Sequence, residues 1–158
     1  MIDDIDRKIL TIMQSNARIS NAEIARQVGM APSGILERIR KLEGRGTIRG
    51  YEARLDPKQV GAGLLAFVFV RAEERVGDAE AGELLAQIPE VQEVHHVAGE
   101  DCYLVKVRAE STEALGRLLR EGFGAIGSVR ATRTTIVLNT VKETGTLPLG
   151  ALATDGES

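Results

Sequence analysis

A chain of 158 residues, 43% hydrophobic and 27% charged, fits one medium domain or two small ones and excludes disorder as its dominant state. Its longest apolar run, Gly61 to Val70, is about half of the roughly 20 residues a membrane span needs, and the acidic start Met1-Ile2-Asp3-Asp4 lacks the basic flank of a signal peptide, so a cytoplasmic protein with no membrane partner is expected. The net charge of -3 hides a division: residues 1 to 50 carry nine Lys and Arg against six Asp and Glu, whereas residues 51 to 158 carry eleven against seventeen.

The first helix is expected to start on Asp3 or Asp4, with Ile5, Ile9, Leu10, Ile12 and Met13 at helical spacing, and to end near Asn16. Ser20-Asn21-Ala22-Glu23 has the form of a capping box, in which the Ser20 hydroxyl takes the Glu23 amide and the Glu23 carboxylate reaches back. A short second helix follows, with Ile24, Ala25 and Val28 inward, and Gly29 stops it because glycine accepts the left-handed conformation at little cost. Pro32 suits the first position of a third helix running to about Glu43, in which Ile35, Ile39 and Leu42 face in while Ser33, Glu37, Arg38 and Lys41 face out. Thr47 to Tyr51 reads as a short strand, and an extended linker continues through Asp56-Pro57 to Gly61-Ala62-Gly63.

Beyond the linker the pattern changes period. Leu64 to Arg71 reads as a strand, Asp78 to Ile88 as a helix, Val91 to Val97 and Cys102 to Ala109 as strands, Ser111 to about Phe123 as a helix, and Val129 to Val141 as a long last strand. Right-handed crossovers in a βαββαβ order place both helices on one face of an antiparallel sheet, a ferredoxin-like arrangement. In the first strand Leu65, Phe67 and Phe69 point one way while Leu64, Ala66, Val68 and Val70 point the other, so both faces call for burial. Helices cover only one. Two such sheets are therefore expected to pack face to face between chains, giving a homo-oligomer, a dimer or an assembly of dimers. The fold class expected is α+β, a (winged) helix-turn-helix domain over 1–52, a linker over 53–63, a ferredoxin-like oligomerisation domain over 64–142, and a loose tail over 143–158.

Ser20 to Leu42 carries the marks of a helix-turn-helix: small Ala25 at a helix crossing, Gly29 in the turn and Ile35 anchoring the second helix to the first. Between Arg18 and Arg49 seven basic residues face three acidic ones, a local surplus suited to phosphate. Ser33, Gly34 and Arg38 are the expected residues nearest the bases, Gly34 by letting the backbone approach, and Arg40, Lys41, Arg45 and Arg49 the expected phosphate contacts. Tyr51 is the only aromatic residue in this half, so stacking platforms for single strands are lacking and double-stranded DNA is the expected partner.

The segments Asp6-x-x-Ile9-Leu10, Arg18-Ile19-Ser20, Glu23-Ile24-Ala25, Val28-Gly29-Met30, Leu36 to Glu43 and Gly46-Thr47-Ile48-Arg49-Gly50-Tyr51 closely resemble the leucine-responsive/asparagine-regulator (Lrp/AsnC) family of transcription regulators. Val94 to Leu104 and Thr132 to Leu138 resemble that family's regulatory domain, so the likeness runs nearly to Lys142. It implies dimers that associate further, with amino acids or related metabolites as effectors. Its implied effector site lies between regulatory domains and takes in Gly99, Glu100, Asp101, Cys102 and Tyr103 with Thr134 or Thr135. A glycine-bearing turn there offers backbone amides and carbonyls to an amino acid's two charged groups. Three positions depart from the family pattern: Ala31 stands where many relatives cap the third helix with Ser or Thr, Asp101-Cys102 where many carry an aromatic residue and then Asp, and Ile126-Gly127-Ser128-Val129 in place of a Leu-Pro-Gly-Val turn.

Other chemistry finds less support. His95 and His96 lie near Asp101 and Cys102, but neighbouring strand residues point to opposite faces, so no metal site is expected. Cys102 is the single cysteine, lacks a dedicated base and cannot close an intrachain disulfide. No paired carboxylates or nucleophile-base set suggests an enzyme, and no cofactor is expected. The alternative to an effector-tuned regulator is an effector-independent DNA-organising protein using the same helix.

Overall fold

The computed structural model describes residues 2 to 150. The chain forms two compact units, one built from the N-terminal residues through Ala53 together with the segment that begins at Lys142, the other spanning Arg54–Val141.

The first unit holds three helices, α1 (Asp4–Ser15), α2 (Asn21–Val28) and α3 (Pro32–Gly44). Asp3 caps α1 in a reciprocal box with Asp6. Ser20 caps α2 by accepting from the Glu23 amide at 3.1 Å, but the expected return bond is missing. The Glu23 carboxylate is taken instead by Arg26 and Gln27, which together hold it down at a pKa of about 2. Gly29 closes α2 at φ +78°, where the amides of Gly29 and Met30 both donate to the Ala25 carbonyl. Ala31 gives α3 no side-chain cap, and Pro32 starts the helix. Ile9, Ile24, Ala25, Ile35 and Ile39 form the buried centre.

The strand expected over Thr47 to Tyr51 does not form. The amides of Thr47 and Ile48 both donate to the Leu42 carbonyl, Ile48 packs on the helical core, and the Tyr51 hydroxyl donates to Glu43 at 2.8 Å. The segment folds back on the end of α3, which satisfies its polar groups without a partner strand. The segment after Lys142 is also more fixed than a loose tail, because the Gln14 amide both donates to the Leu147 carbonyl and accepts from its backbone N–H, and Arg7 donates to the Leu149 carbonyl. Residues 151–158 lie outside the described residues.

The second unit is a four-stranded antiparallel sheet, β1 (Leu64–Ala72), β2 (Val91–His96), β3 (Tyr103–Ala109) and β4 (Val129–Ile136), in the order β2-β3-β1-β4. Helices α4 (Glu80–Ala86) and α5 (Thr112–Arg117) connect them in the βαββαβ sequence. Ala66, Val68 and Val70 of β1 and Tyr103, Val105 and Val107 of β3 meet Ala81, Leu85, Leu115 and Phe123 in one core. α4 is shorter than expected, and its N-cap residue Ala79 offers no side-chain cap. The Glu74 carboxylate does that work, accepting from the Ala81 amide at 2.6 Å. α5 also stops early, passing into a π-helical turn (Leu118–Gly122) and a 3₁₀ turn that bring Phe123 into the core. β4 ends five residues before Val141. After the Val137 amide donates to Leu65 the chain passes the start of β1 and has no strand left to pair with among the described residues.

Candidate nucleic-acid interface and ligand region

The periodicity that buries Ile35, Ile39 and Leu42 turns the rest of α3 outward. Ser33, Leu36, Glu37, Arg40 and Lys41 are exposed, and Arg45 and Arg49 beyond the helix are exposed as well. Lys41 pairs with Glu37 at 2.8 Å, one turn apart on the helix surface, and the ammonium lowers the Glu37 carboxyl pKa. Such a pair is weak in water and gives way readily when a phosphate approaches. Gly34 is half-buried, and a Cβ built there meets the Met30 methyl at 3.0 Å, so its lack of a side chain also has a packing reason.

Arg38, expected near the bases, bonds two carboxylates of the first unit. Its Nη1 donates to Asp3 at 2.7 Å and to Asp6 at 2.8 Å, joining α3 to the first turn of α1. The Asp3 carboxyl is held below its ordinary pKa by the Asp6 amide and then by Arg38, and both carboxylates raise the Arg38 pKa. An open groove of about 450 Å³ lies here, lined by Asp3, Asp6, Gly34, Glu37, Arg38 and Lys41 among others. Sequence reading overlooked Asp3 and Asp6 in this role. A signal existed, since Asp6 lies within the apolar stripe of α1 between Ile5 and Ile9, and an inward carboxylate requires a cation.

In the second unit the glycine-bearing turn is real, with Gly99 at φ +122°. Asp101 accepts from Arg133 of β4 at 2.8 Å, and the Arg133 guanidinium lies 4.3 Å from the centre of the Phe69 ring. Arg133, Thr135, Phe67 and Phe69 share the sheet face opposite the helices, as the register Phe69↔Arg133 and Phe67↔Thr135 requires. Thr134 lies opposite Val68 on the helix face, so the two threonines point to opposite faces of the sheet. Glu100 is exposed. The half-buried Cys102 thiol donates to the Ala72 carbonyl at 3.3 Å.

Tyr103 belongs to the core. It is 2% exposed, stacks on His96 with ring centres 5.0 Å apart, and donates its hydroxyl to Glu74 at 2.7 Å. Burial first, and then the Glu74 carboxylate, push its phenol up to about 12. Tyr103 and Thr134 therefore point away from the face that carries Asp101's partner. His95 and His96 fall on opposite faces, with Nε2 of His95 3.1 Å from Glu93, and the described residues contain no group of three or more His, Cys, Asp or Glu able to hold a metal.

Two family models match the chain: the AsnC-type helix-turn-helix domain over residues 2–43 and the Lrp/AsnC ligand binding domain over 65–147. The chain is 38% identical over 148 residues to the leucine-responsive regulatory protein of Escherichia coli (strain K12), covering 92% of this chain and 90% of that one, and it matches the Klebsiella pneumoniae protein to the same extent. Among solved structures it is similar to a transcriptional regulator of Neisseria meningitidis in complex with L-Met (TM-score 0.86, 31% identity, 94% and 97% of the two chains). It is equally similar to the feast or famine regulatory protein of M. tuberculosis complexed with L-methionine (TM-score 0.86, 36% identity, 93% and 99%).

Proposed function

The chain belongs to the Lrp/AsnC family of transcription regulators, and on that premise we propose that it grips duplex DNA with α3 and that an amino acid or related metabolite tunes its assembly or its hold on DNA. The carrying observation is the outer face of α3, where Ser33, Arg40 and Lys41 are exposed on a helix fixed from behind by Ile35, Ile39 and Leu42. Ser33 is assigned to base edges, and the exposed Arg40, Lys41, Arg45 and Arg49 to phosphates. We assign the DNA-binding part to 1–52, the linker to 53–63 and the regulatory part to 64–142. The protein works in the cytoplasm as at least a dimer, joined through the sheet face of Leu65, Phe67 and Phe69.

The effector site is assigned to that same face, at the turn from Gly99 to Asp101 and at Arg133 and Thr135. Arg133 and Asp101 neutralise each other across 2.8 Å. A free amino acid carries the same two charges, so its carboxylate can pair with the guanidinium and its ammonium with Asp101. The L-methionine in the two related structures supports this class of ligand. A ligand seated between sheets shifts assembly only by its difference in affinity for the two arrangements, and about 1 to 3 kcal/mol suffices for a graded response.

Titration calorimetry with L-methionine and the other common amino acids tests the site, repeated on Asp101→Ala. Heat from at least one ligand in the wild type and its loss in the variant is expected. No heat from any at millimolar concentration, with assembly and DNA binding unchanged, leaves an effector-independent DNA organiser instead. Sequencing the DNA recovered with the protein tests the other half, and near-equal recovery of bulk DNA would refute sequence-specific regulation.

A further inference from the structure

We infer that Arg38 is a positioning residue of the DNA-binding unit: it clamps α3 to the capped first turn of α1 through Asp3 and Asp6, and is not itself a contact to bases or phosphates. The inference rests on the reading of α3 as the DNA-contacting helix.

Three observations carry it. First, one nitrogen, Nη1, meets both carboxylates within 2.8 Å, and the Arg38 side chain is only 27% exposed. Second, the Asp6 side chain is 10% exposed, so moving Arg38 to a phosphate would strand a nearly buried carboxylate, which is costly even when the new contact is good. Third, Asp3 and Asp6 already form the capping box that starts α1. The same two residues thus begin one helix and hold the other, coupling the orientation of α3 to the folding of α1. Arg40 and Arg45, which have no carboxylate partner among the described residues, lie exposed nearby on the first unit and supply the charge that a backbone contact needs.

Binding of the full-length protein to mixed-sequence duplex DNA, measured across a series of salt concentrations, separates clamp from contact. Arg38→Gln, Asp6→Asn and the double variant are compared with wild type, at temperatures where circular dichroism shows all of them folded. Asn keeps the size and capping ability of Asp and removes only its charge. A clamp requires that both single variants bind about three- to tenfold more weakly, in proportion to the time α3 spends out of place. It also requires that the salt slope stay at the wild-type value and that the double variant be no weaker than either single one. If Asp6→Asn does not fold, Asp3→Asn, at the exposed partner, replaces it with the same expectations and a smaller loss. The inference is overturned if Arg38→Gln lowers the salt slope by about one unit, as the loss of a phosphate contact does. It is overturned equally if the aspartate variants bind as tightly as wild type or more so, because a freed guanidinium would then be reaching DNA. A wild-type chain that ignores duplex DNA would instead overturn the reading of α3 on which the inference depends.

Discussion

Gly82 sits in the middle of α4, where alanine should be the better residue by about 1 kcal/mol on helix propensity alone. The structure reverses that sign. A Cβ built on Gly82 lies 2.6 Å from Cε1 of Tyr103, 3.2 Å from Cζ and 3.3 Å from Cδ1, and the ring has no free direction because it is stacked on His96 and tied by its hydroxyl to Glu74. Overpacking of this kind costs about 1 to 3 kcal/mol. If the ring yields, its bond to the Glu74 carboxylate is lost at a further cost of about 1.5 to 3 kcal/mol, and Glu74 is also the group that caps α4 through the Ala81 amide. Because an approach of 2.6 Å obliges the ring to yield, both costs apply, and after the propensity gain is subtracted the net expectation for Gly82→Ala is a destabilisation of about 1.5 to 5 kcal/mol. In a unit of this size each kcal/mol moves the midpoint by about 4 to 8 °C, so thermal unfolding followed by circular dichroism should show a drop of at least about 4 °C. Tyr103→Leu removes the atom that clashes, so adding Gly82→Ala to that background should be neutral or stabilising by up to about 1 kcal/mol. A midpoint that stays or rises in Gly82→Ala with Tyr103 intact would refute the close approach of α4 to β3.

Three other outcomes are expected. Phe67→Glu places a charge in the middle of the apolar sheet face and should turn the proposed dimer into a monomer at micromolar concentration by light scattering, whereas an unchanged mass would remove that face from the interface. In a Tyr51→Phe background Tyr103 is the sole tyrosine, and its absorbance should titrate near 12 rather than 10. Because the folded value is the higher one, its stabilisation is whole below about pH 10 and is lost as pH rises towards 12; titration at 10 with the fold intact would contradict the burial of the ring and its bond to Glu74. Gln14→Ala removes both bonds to Leu147 and should raise amide exchange at Leu147 while leaving α1 protected, and unchanged exchange would mean that the segment does not rest on α1.

The sequence alone determined the elements whose signals are local. Gly29 at its left-handed turn, Ser20 and Asp3 as caps, the inward triad of Ile35, Ile39 and Leu42, and the alternation of β1 all depend on neighbours within a few residues, and each is found where the pattern puts it. The family likeness rests on the same local segments, which is why it could be read without coordinates. What escaped was decided by partners far along the chain. Thr47 to Tyr51 had strand composition but no strand beside it, and β4 stopped where β1 began. Glu23 followed the capping pattern until Arg26 and Gln27 competed for its carboxylate. Arg38 had the position of a base contact on the helix wheel, and only the return of α1 beside α3 showed two carboxylates within 2.8 Å of it. Tyr103 likewise followed a loop that invited a ligand, while strand alternation turned its ring under Gly82. Periodicity states which way a side chain points along its own element; what it meets there is set by the packing of elements distant in sequence, and for a charged or hydrogen-bonding group that partner decides the role.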